Sequence, residues 1–133
     1  MPDGNPNGPL SVLLVDDEPL VGLRLKPALE KNGYRVETCE DGAQAVARIA
    51  QELFDIVVTD IRMEPLDGLK VLEAALKKSA RTKVIIITGY ATVELAREAM
   101  AKGAFEVIAK PFRPNDLREV VAKAVHALAA EHS

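Results

Sequence analysis

Five short apolar runs, separated by longer stretches with helical periodicity, leave few folds open to this chain of 133 residues. The runs are Ser11–Val15, Tyr34–Thr38, Ile56–Asp60, Lys83–Thr88 and Glu106–Ala109. Most read as continuous blocks (VLLV, IVV, VIII) rather than as alternating apolar and polar residues. That pattern marks strands covered on both faces, as in a parallel sheet. Between them lie amphipathic stretches. Val46, Ile49, Ala50 and Leu53 recur at helical spacing, Leu69, Leu72 and Leu76 share one face, and Leu117, Val120, Val121, Ala124, Val125 and Leu128 form a stripe. Pro114 and Asp116 suit the first turn of that last helix. Strict strand–helix alternation repeated five times predicts an α/β fold, an open parallel sheet with right-handed crossovers. One stretch conflicts with the pattern. A first helix from about Pro19 to Asn32 contains Pro27, and an interior proline costs about 3 kcal/mol. Either that helix bends or it is shorter.

The length suits one domain, expected over residues 11–131, with a Pro-, Gly- and Asn-rich flexible leader over residues 1–10. No internal repeat or second-domain linker is visible. Hydrophobic residues make up 48% and charged residues 28%, the profile of a soluble globular protein. Aromatic residues are 4%, so the core must be built from Val, Ile, Leu and Ala. A net charge of −3 argues against a nucleic-acid surface. The basic cluster Lys77, Lys78, Arg81 and Lys83 reads as a solvated helix end and loop. No apolar run reaches the ~18 residues of a membrane span, and the leader lacks the regions of a signal peptide, so a cytoplasmic setting is expected. The single cysteine, Cys39, excludes an intramolecular disulfide and is expected at the core edge, away from any active rim. His126 and His132 have no ligand partner nearby in sequence and read as surface residues.

The first strand runs straight into Asp16, Asp17 and Glu18. Two carboxylates about 4 Å apart repel by roughly 1 to 4 kcal/mol at effective dielectrics between water and 20. In an open α/β sheet, ligands bind beyond the carboxyl ends of the strands. There the chain places Asp16 and Asp17 after the first strand, Asp60 at the end of the third, Thr88 at the end of the fourth, and Lys110 and Pro111 after the fifth. A hard divalent cation with oxygen ligands would offset the repulsion, and Mg²⁺ takes one or two carboxylates plus phosphate while keeping several waters.

The motifs LLVDDEP, DIVVTDIRM followed by DG, VIIITGYAT and GAFEVIAKPF resemble the receiver domain of two-component response regulators. The resemblance covers residues 11 to about 130, and its detail is similar to receivers attached to nitrogen-regulator-type transcriptional activators. It implies a flavodoxin-like fold with strand order 2-1-3-4-5 and helices on both faces. It implies that Asp60 is the phosphoacceptor for a sensor histidine kinase. Asp17, Asp60 and the Arg62 carbonyl would bind Mg²⁺ directly, and Asp16 through water. Thr88 would hydrogen-bond a phosphoryl oxygen and Lys110 would pair with one. It further implies a cis Lys110–Pro111 bond, and a face of helix 4, strand 5 and helix 5 that engages an output domain or target, or forms a homodimer, after phosphorylation. Such a chain is a signalling switch rather than a conventional enzyme.

Two positions depart from the family pattern. The family usually has proline four residues after the phosphoacceptor, where this chain has Glu64 followed by Pro65. It often has an aromatic residue three before the lysine, where this chain has Val107. Tyr90 then becomes the nearest candidate for passing on a signal from Thr88. Gly68, after Asp67, reads as a tight-turn residue. Two other readings use similar architecture. A flavin module would want hydroxyls and amides after the first strand, where DDEP repels a phosphate unless a metal intervenes. A Mg²⁺-dependent phosphatase with an Asp nucleophile would show DxDx[TV], and DDEP lacks the second spaced Asp.

Overall fold

A computed structural model describes residues 9–62, 67–89 and 93–132 of the chain, the last without its side chain. Most of the leader, Glu64, Pro65, Tyr90 and the side chain of His132 lie outside the described residues. The elements are β1 (Ser11–Val15), α1 (Pro19–Glu30), β2 (Arg35–Cys39), α2 (Gly42–Gln51), β3 (Ile56–Asp60), α3 (Gly68–Lys78), β4 (Lys83–Thr88), α4 (Val93–Ala101), β5 (Glu106–Ala109) and α5 (Pro114–His132). All strand pairs are parallel, in the order 2-1-3-4-5.

The continuous apolar runs follow from two cores, one on each face of the sheet. Leu13, Val15, Val57, Val84 and Ile86 point to the face covered by α2, α3 and α4, where they meet Ala45, Ile49, Val71, Leu72, Ala75 and Ala99. Val12, Leu14, Ile56, Val58, Ile85 and Ile87 point to the other face and meet Leu25 and Leu29 of α1 and the α5 stripe Leu117, Val120, Val121, Ala124 and Leu128. Successive residues along a strand alternate between faces, so a sheet covered on both sides needs apolar residues at every position.

Several expectations need correction. β2 begins at Arg35 rather than Tyr34 and extends through Cys39. Its limits are set by the ladder, in which Ser11 pairs with Arg35 and Val15 with Cys39. α1 ends at Glu30 and runs through Pro27, which lies in its last turn. The missing proline N–H would have bonded Leu23, an exposed residue whose backbone can turn to water. Gly33, at φ +90°, then reverses the chain. In α2 the buried face is Gly42, Ala45 and Ile49, with Ala50 exposed. Asp41 caps this helix by accepting from the Gln44 N–H at 2.7 Å. Glu52 leaves it in an extended conformation, so Leu53 is exposed and Phe54 is buried instead. Lys83 belongs to β4, where it forms an ion pair with Glu131 of α5, and so departs from the solvated basic cluster.

Gly68 has a different purpose from the expected turn. A Cβ at this position would stand 2.3 Å from the Asp60 carbonyl oxygen and 2.8 Å from Ile61 Cα. Its φ is not in the left-handed region. The glycine lets the start of α3 cross directly against the end of β3, where its N–H donates to the Ile61 carbonyl at 2.9 Å. Asp67 caps the helix by accepting from the Lys70 N–H at 3.1 Å.

Candidate functional site

The carboxyl ends of β1, β3, β4 and β5 bring the acidic run, Asp60, Thr88 and Lys110 to one rim. Asp16 follows β1 directly. Its N–H donates to the Cys39 carbonyl at 3.1 Å, and its Oδ1 accepts from the Glu18 N–H at 2.8 Å. Asp60 closes β3, and its Oδ1 accepts from the Arg62 N–H at 3.0 Å. Thr88 closes β4, fully buried, and its carbonyl accepts the Lys110 N–H at 2.8 Å. The Lys110–Pro111 peptide that follows is cis.

Lys110 Nζ donates to Asp60 Oδ2 at 2.7 Å and lies 3.4 Å from both Asp16 Oδ2 and Glu18 Oε1. One ammonium is thus shared by three carboxylates. Burial pushes the Asp16 carboxyl up to about 6, against the opposing pull of the Glu18 N–H and Lys110. Burial tends to lower Lys110, yet its hydrogen bond to Asp60 and the Asp16 charge hold it well above the ordinary lysine range. The ammonium therefore stays charged.

Asp16, Asp17 and Asp60 each offer a carboxylate oxygen, and these oxygens lie within 4.8 Å of one another. Asp16 and Asp60 are buried and Asp17 is exposed. An all-oxygen donor set with three negative charges, open to solvent on the Asp17 side, has the chemistry of a site for a hard divalent cation that retains water.

All six residues singled out from the sequence lie at this rim or on the loop beyond Asp60 that carries Arg62. Two features were not foreseen. Glu18 joins the cluster through Lys110, and its signal was the third acid of the run. Cys39 is a buried core residue as expected, but it lies at the rim rather than away from it, since its carbonyl holds the Asp16 N–H. Burial pushes its thiol up to about 11.

Residues 12–122 match the family model described as the response regulator receiver domain. The chain belongs to that family. Among curated relatives it is 38% identical over 114 residues to the regulatory protein AtoC of Escherichia coli K12, covering 86% of this chain and 25% of that protein. It is 32% identical over 125 residues to the transcriptional regulatory protein ZraR of the same strain, covering 92% of this chain and 28% of that protein. The chain thus spans about a quarter of the length of these relatives. Among solved structures, a receiver domain from Methanospirillum hungatei JF-1 superposes with a TM-score of 0.89 at 31% identity, covering 93% of this chain and 99% of that one. The expected family, fold and strand order are borne out, and the flavin and phosphatase readings give way to a receiver, the signalling module of a two-component response regulator. No helix among the described residues is long and apolar enough to cross a membrane.

Proposed function

We propose that this receiver is a phosphorylation-dependent switch in which Asp60 accepts a phosphoryl group from the phosphohistidine of a sensor kinase. An Asp60 carboxylate oxygen attacks phosphorus, the O–P bond forms, the N–P bond breaks, and the imidazole departs with the bonding pair. The observation that carries this reading is the Lys110–Asp60 contact of 2.7 Å inside a cluster of three close carboxylates. Phosphoryl transfer depends mainly on positioning and charge neutralisation, and this rim holds a nucleophile, a fixed ammonium and an oxygen donor set. Bound at Asp17, Asp60 and the Arg62 carbonyl, with Asp16 acting through water, Mg²⁺ would supply Lewis-acid neutralisation of the phosphoryl oxygens. Lys110 passes from the Asp60 carboxylate to a phosphoryl oxygen, and the Thr88 hydroxyl bonds another.

The domain of residues 11–131 then works in the cytoplasm on an output domain, a target protein or a second copy of itself. Its face of α4, β5 and α5 changes with phosphorylation. Val93 at 64% and Met100 at 48% expose apolar surface on α4 for such docking, as Leu20 at 70% and Leu23 at 69% do on α1. Val107 is packed partly buried against the α2–α4 core and pairs with Ile86 in the sheet. A small branched side chain held there is stiff at χ1 and cannot swing as a ring can. The loop from β4 to α4, with Tyr90, is therefore the proposed path of the signal. Amide chemical shifts with Mg²⁺, before and after adding the phosphoryl mimic beryllofluoride, test the switch. Changes should appear around Asp60 and Thr88 and extend along α4 and β5. A spectrum that beryllofluoride leaves unmoved contradicts the switch.

A further inference from the structure

Glu18 is the acid of the cluster that the metal site does not need. The close carboxylate group consists of Asp16, Asp17 and Asp60. Glu18 instead stands 3.4 Å from Lys110 Nζ, with its side chain 67% exposed, against 3% for Asp16 and 8% for Asp60. It also occupies the N-cap position of α1, and its backbone carbonyl accepts from the Val21 N–H at 3.0 Å. A side chain at that position ordinarily accepts a hydrogen bond from the first turn. Glu18 makes no such bond. Its carboxylate is turned across the rim to the lysine, while its own N–H is held by Asp16 Oδ1 at 2.8 Å.

Two grooves meet at this residue. One, of about 390 Å³, runs between α1 and the segment after β5, lined by Val21, Leu25, Phe112 and Lys110. The other, of about 350 Å³, runs between α1 and β2. Glu18 lines both. Asp60 Oδ2 and Glu18 Oε1 touch the same nitrogen at 2.7 and 3.4 Å, so they lie no further apart than about 6 Å. A phosphoryl group arriving at Asp60 Oδ2 therefore approaches an exposed carboxylate.

We propose that Glu18 is a specificity-determining residue for the phosphodonor, raising the barrier for free anionic donors in proportion to their charge. The inference rests on Asp60 being the phosphoacceptor. Coulomb repulsion across roughly 6 Å of water doubles when the donor charge doubles, and weakens with salt. A donor docked on a protein surface can offset that repulsion with contacts elsewhere, whereas a small molecule has only its phosphoryl group.

The test compares initial rates of phosphorylation by doubly charged acetyl phosphate and singly charged phosphoramidate, with Mg²⁺, in wild type, Glu18→Gln, Glu18→Asp and Asp60→Asn. At an ionic strength near 0.01 M, Glu18→Gln should speed the reaction roughly five- to tenfold with acetyl phosphate and about two- to threefold with phosphoramidate. Both gains should shrink below about twofold near 1 M salt, and Glu18→Asp should keep the wild-type ratio of the two rates. Equal gains with both donors, or gains that salt leaves unchanged, would overturn the role assigned to Glu18, since a structural change acts on both donors alike. Those outcomes would leave Asp60 phosphorylation standing. Failure of both donors to label wild type, or full labelling of Asp60→Asn, would instead remove the phosphoacceptor reading and this inference with it.

Discussion

Replacing Gly68 with alanine adds one methyl group where α3 crosses the end of β3. The new Cβ would stand 2.3 Å from the Asp60 carbonyl oxygen and 2.8 Å from Ile61 Cα. Both neighbours are backbone atoms, so no side chain can rotate away. The crossing is also pinned by the Gly68 N–H on the Ile61 carbonyl at 2.9 Å and by the Ile61 N–H on the Ile87 carbonyl at 2.9 Å. Overpacking a well-filled site costs about 1–3 kcal/mol, and rigid neighbours put this case at the upper end. With an unfolding entropy near 2.1 cal/mol/K per residue, about 3 kcal/mol lowers the thermal midpoint of a domain this size by about 10 °C. Gly22→Ala is the matched control. Its Cβ would meet Thr38 Cγ2 at 3.5 Å, an ordinary contact. Alanine for glycine inside a helix gains about 0.5–1 kcal/mol. The same methyl group should therefore destabilise at position 68 and stabilise at position 22, by thermal and urea unfolding followed by circular dichroism. Because the displaced carbonyl belongs to Asp60, Gly68→Ala should also slow phosphorylation. A Gly68→Ala midpoint at or above that of wild type would refute the crossing as described.

Mg²⁺ titrated by calorimetry should bind wild type weakly, lose most of its affinity in Asp17→Ala, and bind roughly three- to tenfold more tightly in Lys110→Met, because the ammonium competes for the same carboxylates; weaker binding in Lys110→Met would contradict that competition. Cys39 should resist alkylation. With its pKa raised to about 11, the thiolate fraction at pH 8 is roughly two hundredfold below that of a free thiol, and reactivity should climb as pH rises toward that value. Rapid labelling at pH 8 in native buffer would contradict the burial. Val107→Ala should leave the beryllofluoride-induced shifts of α4 nearly intact and Tyr90→Ala should shrink them; the reverse order would mean that Val107 carries the signal.

Much of this architecture was legible because both faces of the sheet are covered, so each strand announces itself as an unbroken aliphatic block. Four of the five strands match their expected limits. β2 slipped by one residue because pairing with β1 sets its ends, and Tyr34 suits a strand by its type alone. The phase of α2 was misread because the Asp41 cap fixes where the helix starts, and Leu53 is apolar yet lies beyond its end. Asp16, Asp17, Asp60, Thr88 and Lys110 were legible because each falls at or just after a strand's carboxyl end, whereas Arg62 came from the family resemblance. Gly68 was read as a turn and Glu18 was given no role, because their meaning depends on neighbours distant in sequence. Gly68 faces the backbone of Asp60 and Ile61, and Glu18 meets a lysine 92 residues away.

Incubation with acetyl phosphate and Mg²⁺, followed by intact mass measurement and borohydride reduction of the acyl phosphate before peptide mapping, locates the phosphoryl group. Wild type should gain a single base-labile phosphoryl group, mapped to Asp60. It should be absent when Mg²⁺ is chelated and absent in Asp60→Asn, which should stay folded. A phosphoryl group mapped to any other residue of wild type, or full incorporation in Asp60→Asn, would contradict the assignment of Asp60 as the phosphoacceptor.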